Sequence, residues 1–243
     1  MRIILVGFGV VGQSLLRMAN SRHADLIRTT GIRPKFVGVC DSRGAAVSVR
    51  GLDVERLLQM KGSKGTVAAL REFGKVGITP SELIEDTEAG VVVEATSTNL
   101  KNGQPGIHHI MTSLKNRRHV ITVNKGPLAH ALPALLELAK HNDVYLRFSG
   151  TVGGGTPVLD FAKKCLLGER IVSLRGILNG TTNYILTKMA DEGISYEMAL
   201  KEAQRAGYAE KDPSLDVDGL DTAAKLVIIA NWVMNLRVTL SDV

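Results

Sequence analysis

Six residues near the start, Gly7-Phe8-Gly9-Val10-Val11-Gly12, constrain the fold more than any others in the chain. They form a GxGxxG pattern that directly follows an apolar strand, Arg2–Val6, and opens a helix, Val11–Ala19. That context makes the pattern specific. The first glycine permits a tight turn, the second lets the backbone approach a pyrophosphate, and the third lets helix and strand pack closely. The pyrophosphate then rests on the helix N-terminus, where free N–H groups and the dipole favour an anion. A dinucleotide, NAD or NADP, is the expected ligand.

The next 140 residues repeat the same alternation. Apolar runs of strand length occur at Lys35–Cys40, Val91–Thr96, His119–Val123 and Val144–Phe148. Helical patterns lie between them at Val54–Met60, Val67–Phe73, Ser81–Ile84, Gly106–Asn116 and Leu128–His141, with Lys61–Gly65 read as a polar loop. Continuous apolar strands signal a sheet buried on both faces. Alternation with helices predicts an α/β fold, a Rossmann-type doubly wound parallel sheet. The pattern changes near residue 147. Residues 1–147 read as a dinucleotide-binding unit and 148–243 as a second, α+β unit. In the second, Thr156 and Pro157 open a helix to Leu167, and one strand follows at Ile171–Leu178. Helices then occupy Thr181–Asp191, Tyr196–Ala206 and Asp216–Asn235.

Composition excludes several classes. No run of 18 apolar residues exists, so no membrane span is expected. The start lacks a cleavage-site pattern and reads as strand and turn, not a signal peptide. Cys40 and Cys165 are the two cysteines, too few for a disulfide framework, which implies a reducing cytoplasm. The net charge is a modest +6, and its one basic cluster, Lys115–Arg118, has no interleaved aromatics. It reads as cations on a helix C-terminus, not as a nucleic-acid surface.

In open α/β sheets, ligands lie beyond the carboxyl ends of the strands. The second strand ends at Cys40-Asp41-Ser42-Arg43. Asp41 reads either as a ribose ligand of NAD or as a plain turn residue, whereas Arg43 suits a 2′-phosphate. Thr96 and Ser97 follow the third long run, where their hydroxyls face the nicotinamide ribose. Lys125, in Asn124-Lys125-Gly126-Pro127, either points into the cofactor crevice or is a surface lysine.

The second unit carries the acid–base residues. Asp221 and Lys225 stand at i and i+4, acid first, so they share a helix face. An apolar run follows them, which favours a buried pair over an ordinary surface ion pair. A paired, partly desolvated lysine is suited to proton transfer. Reducing a carbonyl by hydride requires such a donor for the alkoxide. Lys225 would supply it, Asp221 would orient it, and Glu210 would hold an amino group on the substrate.

These stretches together resemble homoserine dehydrogenase: Gly7–Gly12, VNKGPLA at Val123–Ala129, TVGGGTP at Thr151–Pro157, GILNGTTNYIL at Gly176–Leu186, and Gly207–Lys225. They occur in the family's order. The resemblance implies NAD(P)-dependent interconversion of L-aspartate 4-semialdehyde and L-homoserine, toward threonine, isoleucine and methionine. It makes Lys225 the proton donor and Glu210 and Asp221 substrate contacts. It places Lys125 between substrate and nicotinamide, and Gly207 near the cofactor. It also implies a sodium ion on backbone carbonyls of Ser149, Val152, Gly154 and Thr156, although the family commonly has Glu-Ala where this chain has Ser149-Gly150. Asn179–Asn183 reads as a helix start. The family dimerises through the sheet of its second unit. A homodimer is therefore expected, with further residues or a second copy completing that sheet. Other readings are another aspartate-pathway dehydrogenase or a cofactor-binding module without activity. Aspartate-semialdehyde dehydrogenase needs a nucleophilic cysteine, and neither Cys40 nor Cys165 is placed for it.

Overall fold

A computed structural model describes residues Met1–Val243, which divide into two compact units, Met1–Thr151 and Val152–Val243. The first is built on one seven-stranded sheet. Its strands are β1 (Arg2–Val6), β2 (Lys35–Asp41), β3 (Gly44–Val47), β4 (Gly74–Val76), β5 (Val91–Glu94), β6 (His119–Thr122) and β7 (Leu146–Arg147). They lie in the order β4-β3-β2-β1-β5-β6-β7. The strands β2-β1-β5-β6-β7 are mutually parallel, as expected. The short strands β3 and β4 are antiparallel additions that no sequence pattern announces.

The helices are α1 (Val10–Ser21), α2 (His23–Thr30), α3 (Val54–Lys64), α4 (Pro80–Asp86), α5 (Gly106–Lys115) and α6 (Lys125–His141). Successive residues of β1 point to opposite faces. Ile3 and Leu5 pack on one side with Leu16 and Leu57, and Ile4 and Val6 on the other with Leu83 and Ile84. The sheet is therefore buried on both faces, which is why its central strands read as unbroken apolar runs.

Three expectations here are corrected. Lys61–Gly65 is not a free loop, because α3 runs on to Lys64 and Gly65 ends it in a left-handed conformation. Val67–Phe73 is not a helix: only a 3₁₀ turn, Val67–Ala69, forms before the chain enters β4. Helix α6 begins at Lys125, not at Leu128, with the Asn124 side chain capping it through Gly126 N–H. The basic cluster does follow α5, and Arg118 turns inward to the carbonyls of Thr87 and Ala89.

The second unit comprises α7 (Val158–Cys165), α8 (Gly180–Glu192), α9 (Tyr196–Arg205), α10 (Ser214–Val217) and α11 (Leu220–Trp232). Ile185 of α8 packs with Ala199 and Ala203 of α9 and with Ala209. Thr156 does not cap α7; Pro157 holds the cap position with no side-chain hydrogen bond. The expected helix Asp216–Asn235 is two helices, broken where the chain turns at Gly219 (φ 79°). The expected strand Ile171–Leu178 is not hydrogen-bonded into a sheet. A strand needs a neighbour to take its N–H and C=O groups, and Arg237–Leu240 supplies none, since it runs into a 3₁₀ turn at Leu240–Asp242. The run forms no regular element, and Val172 and Ile177 are exposed.

Candidate active site

A cleft of about 830 Å³ opens at the carboxyl ends of β1, β2 and β5 in the first unit. The order of strands reverses there, with β1 lying between β2 and β5, which is where open α/β sheets bind ligands. Gly7, Phe8, Gly9 and Val10 line it, whereas Val11 and Gly12 do not. Gly7 has φ +98°, and a Cβ there would lie 2.5 Å from the Ala95 carbonyl oxygen. Gly12 is a packing residue, since its Cβ would lie 2.3 Å from Gly7 O. The Phe8 ring turns away into the core, leaving only its backbone at the cleft. Gly9 precedes α1 without any side-chain cap, and the first turn carries no acidic residue. Its N–H groups are thus free for an anion, and the site fits a pyrophosphate.

At the far end of β2, Asp41 lines the cleft but is fully engaged inward. Its Oδ1 accepts from Arg43 N–H (3.0 Å) and Thr66 Oγ1 (2.9 Å). Its Oδ2 accepts from Lys61 Nζ (2.9 Å) and Val67 N–H (3.0 Å). A carboxylate offers about four lone-pair sites, and all four are taken. These bonds make Asp41 the frame of the loop that edges the cleft. Burial alone would raise its pKa, but the bonds from Lys61, Arg43, Val67 and Thr66 outweigh that and hold it below 3.8. Arg43 leans on the C-terminal turn of α3, donating from Nη1 to Lys64 O (3.2 Å). Two of its N–H-bearing nitrogens remain for a ligand. Gly77, Ile78, Thr79 and Pro80 complete this end. Sequence reading missed them because they are the short link and cap before α4, which carry no periodic signal.

At the other end, Thr96, Ser97 and His109 line the cleft. Lys125 is half-buried at the first position of α6, next to Asn124, whose Nδ2 donates to Thr96 Oγ1 (3.3 Å). The lining of the cleft does not extend to Lys125 itself.

The second unit brings Lys225 and Asp221 together. Lys225 Nζ lies 2.6 Å from Asp221 Oδ2, and both side chains are largely buried. The ammonium also donates to Leu178 O at 2.5 Å. The sequence did not reveal what holds the pair. Asn179 Nδ2 donates to Asp221 Oδ2 (3.1 Å) and to Asp216 Oδ1 (2.7 Å). Its Oδ1 accepts from Thr182 N–H (2.9 Å), capping α8. Thr181 Oγ1 stands 2.7 Å from both Tyr208 O and Asp216 Oδ2. Asn179 is thus a helix start, as expected, and also a clamp on the Asp221–Lys225 pair. Glu210 and Gly207 sit exposed in the turn after α9, where Glu210 O accepts from Gln204 Nε2 (3.2 Å).

Ser149 lies in the closing turn of the first unit, and Val152, Gly154 and Thr156 lie in the opening loop of the second. No group of three or more His, Cys, Asp or Glu side chains stands together to hold a metal ion. The Thr156 carbonyl accepts from Val158 N–H at 2.8 Å and keeps one lone pair. No helix is long and apolar enough to cross a membrane. Burial pushes the Cys40 thiol up to about 12. Cys40, which lines the cleft, is thus a poor nucleophile at neutral pH.

Comparison with known proteins agrees with this geometry. A family model described as "Homoserine dehydrogenase, NAD binding domain" matches residues 7–149, and one described as "Homoserine dehydrogenase" matches residues 157–243. The whole chain is 44% identical to a homoserine dehydrogenase of Methanocaldococcus jannaschii, covering 72% of that protein. It is 38% identical to an NAD(+)-dependent homoserine dehydrogenase of Pseudomonas canavaninivorans, covering 68%. The solved homoserine dehydrogenase of Thermoplasma acidophilum superposes with a TM-score of 0.83 at 30% identity, over 100% of this chain and 72% of that one. A hyperthermophilic archaeal homoserine dehydrogenase in complex with NADPH gives 0.84 at 29% identity, over 96% and 69%. The chain therefore belongs to the homoserine dehydrogenase family, NAD(P)-dependent oxidoreductases that interconvert L-aspartate 4-semialdehyde and L-homoserine.

Proposed function

We propose that Lys225 is the proton donor of this reaction, held by Asp221, and that the cleft of the first unit prefers the 2′-phosphorylated dinucleotide. The observation that carries the first part is the 2.6 Å pair. An ammonium has three N–H donors; two are spent on Asp221 and Leu178 O, and one is left for substrate. When bound, the dinucleotide supplies or removes the hydride at the carbon that becomes the alcohol. Lys225 Nζ gives its proton to the aldehyde oxygen as that carbon is reduced and takes it back in the reverse direction. Glu210, exposed and acidic, receives the substrate's amino group. By the family resemblance, Lys125 would act at the carbonyl end. A cation at a helix N-terminus opposes the dipole, so its place on α6 serves a purpose other than helix stability. The domain roles follow: residues 1–147 carry the cofactor and 148–243 the catalytic and dimer-forming surfaces. An NAD(P)H-oxidation assay with L-aspartate 4-semialdehyde tests the reading. Absence of turnover would refute it.

Cofactor preference rests on Arg43, whose guanidinium is anchored beside the cleft with donors to spare. Arg43→Ala is expected to weaken NADPH by about tenfold or more, the worth of one charge-assisted pair, and NADH far less. Titration of both cofactors decides it, and equal losses would show that Arg43 does not read the phosphate.

The loop Val152–Thr156 is assigned to a monovalent cation by the family resemblance, with the Thr156 carbonyl, which keeps one lone pair, as its support. Comparing activity in sodium with activity in a bulky organic cation tests that. We further propose a homodimer. Its support is the Ile171–Leu178 run, strand-like in composition and outside any sheet, whose exposed Val172 and Ile177 suit a second copy of the same segment. Light scattering at micromolar concentration should give twice the 26.1 kDa chain mass; a monomer would rule it out. Free Cys40 and Cys165 agree with a cytoplasmic site, to be checked by fractionation.

A further inference from the structure

The last residue of β5 breaks the pattern of its strand. Val91–Val93 are buried apolar residues, and Glu94 follows them with no exposure at all. Placing a carboxyl group out of water is costly unless its oxygens are satisfied. Here they are. Oε1 accepts from Thr96 N–H (3.1 Å) and from Thr96 Oγ1, and Oε2 accepts from Thr122 Oγ1 (3.0 Å) on β6. His109 Nδ1 is 3.7 Å from Oε1, too far to compete.

The direction of the remaining bonds follows from that end. A hydroxyl has one proton, and a threonine that gives it to Glu94 presents only lone pairs to its other neighbour. Asn124 meets both. Its Nδ2 donates to Thr96 Oγ1 (3.3 Å), and its backbone N–H donates to Thr122 Oγ1 (3.0 Å). With its nitrogen so committed, Asn124 Oδ1 faces Gly126 N–H (3.1 Å) and caps α6, whose first residue is Lys125. One buried carboxyl group thus sets the orientation of two threonines, one amide and one helix start. Thr96 and Ser97 line the cleft, whereas Glu94, Thr122 and Asn124 stand behind it.

We infer that Glu94 is a positioning residue for hydride transfer. Acting through Thr122 and Asn124, it fixes the loops after β5 and β6 at the end of the cleft remote from Arg43, and with them the start of α6, where Lys125 stands outside the lining. The inference rests on the reading above that this end receives the nicotinamide. It assigns no chemistry to Glu94 itself.

Thr122 offers the cleanest test, because its hydroxyl touches the network and not the cleft. Thr122→Val keeps the shape and removes the hydroxyl; Thr122→Ser keeps the hydroxyl. Glu94→Gln is the milder second variant, keeping every heavy-atom position while turning one acceptor into a donor. Turnover is measured beside the affinities for NADPH and for 2′-phospho-ADP-ribose, which lacks the nicotinamide. Thr122→Val and Glu94→Gln are expected to lower kcat by about five- to a hundredfold, the effect of unsatisfied buried groups. The fragment should bind as before, NADPH should weaken, and Thr122→Ser should restore most of the loss. Equal losses of NADPH and fragment would mean general loosening and would overturn the inference. So would full activity in Thr122→Val, or a serine variant as poor as valine. Lys125→Ala in the same assay separates the two ideas. If it keeps full kcat while Thr122→Val loses it, the role of Lys125 fails and the network stands; the reverse pattern removes the network.

Discussion

Replacing Lys225 with alanine is expected to lower kcat by roughly 10²–10⁴-fold, the usual worth of general acid–base catalysis, and to leave dinucleotide affinity unchanged. The cofactor cleft is built from the first unit and Lys225 belongs to the second, so binding and proton transfer separate cleanly. Nor should the variant unfold. Lys225 is bonded to Asp221 and Leu178 O, but Asp221 keeps its bond from Asn179 Nδ2. Lys225→Arg sharpens the test. Arginine preserves the charge and the reach, but it does not deprotonate in this pH range. It should be nearly as inactive as alanine in the oxidation direction, where the side chain must accept a proton on every cycle. Steady-state assays in both directions decide the matter, and an unchanged kcat in Lys225→Ala would sink the assignment.

Asp41→Ala is expected to destabilise the first unit by about 3–5 kcal/mol, as when one member of a buried ion pair is removed. That corresponds to a fall in Tm of roughly 10 °C for a chain of this size. Four donors lose their acceptor at once: Lys61, Thr66 and the N–H groups of Arg43 and Val67. The pH dependence has a definite sign. The folded pKa lies below 3.8, so the contribution is present above 3.8 and disappears as the pH falls through the folded value. The difference in Tm between the native protein and the variant should therefore be full at neutral pH and shrink below about pH 4. Were Asp41 a ribose ligand instead, the variant would keep its Tm and lose only cofactor affinity. Thermal melts from pH 7 to pH 3 distinguish the two outcomes.

How much could be read from the chain alone follows from where each signal resides. Strands β1, β2 and β5 were legible because burial on both faces makes them continuous apolar runs, whereas β6, with Val120 buried and Ile121 exposed, was legible from its β-branched composition. Strands β3 and β4, with the sequences GAAV and GKV, carry no such pattern; tertiary pairing alone creates them. Helix α2 was illegible because it buries no residue. The end of α3 was mistaken for a loop because Lys61–Gly65 is polar and glycine-containing, although its C-terminal cations suit the dipole. Ile171–Leu178 has strand-like composition but joins no sheet, because composition cannot supply a neighbour. At the site, spacing along one helix revealed Asp221 and Lys225. Asn179, Asp216 and Glu94 stayed hidden, because each acquires meaning from partners far away in sequence.

The clamp at Asn179 also bears on when the enzyme becomes competent during folding. Its bonds to Asp216 and Asp221 span 37 and 42 residues, and the Lys225 bond to Leu178 O spans 47. Helices such as α8 and α9 are local structures that form early, whereas contacts closing loops of this length must first overcome chain entropy. The Asp221–Lys225 pair forms locally with α11, but its clamp closes only when α10 and α11 dock onto the start of α8. Helical content should recover before activity on refolding from denaturant. A chain caught midway would carry nearly all its helices and no catalytic lysine in position. In such a protein, activity reports completion of the fold, and a preparation with native-like helicity but reduced turnover holds a mixture of finished and unfinished molecules.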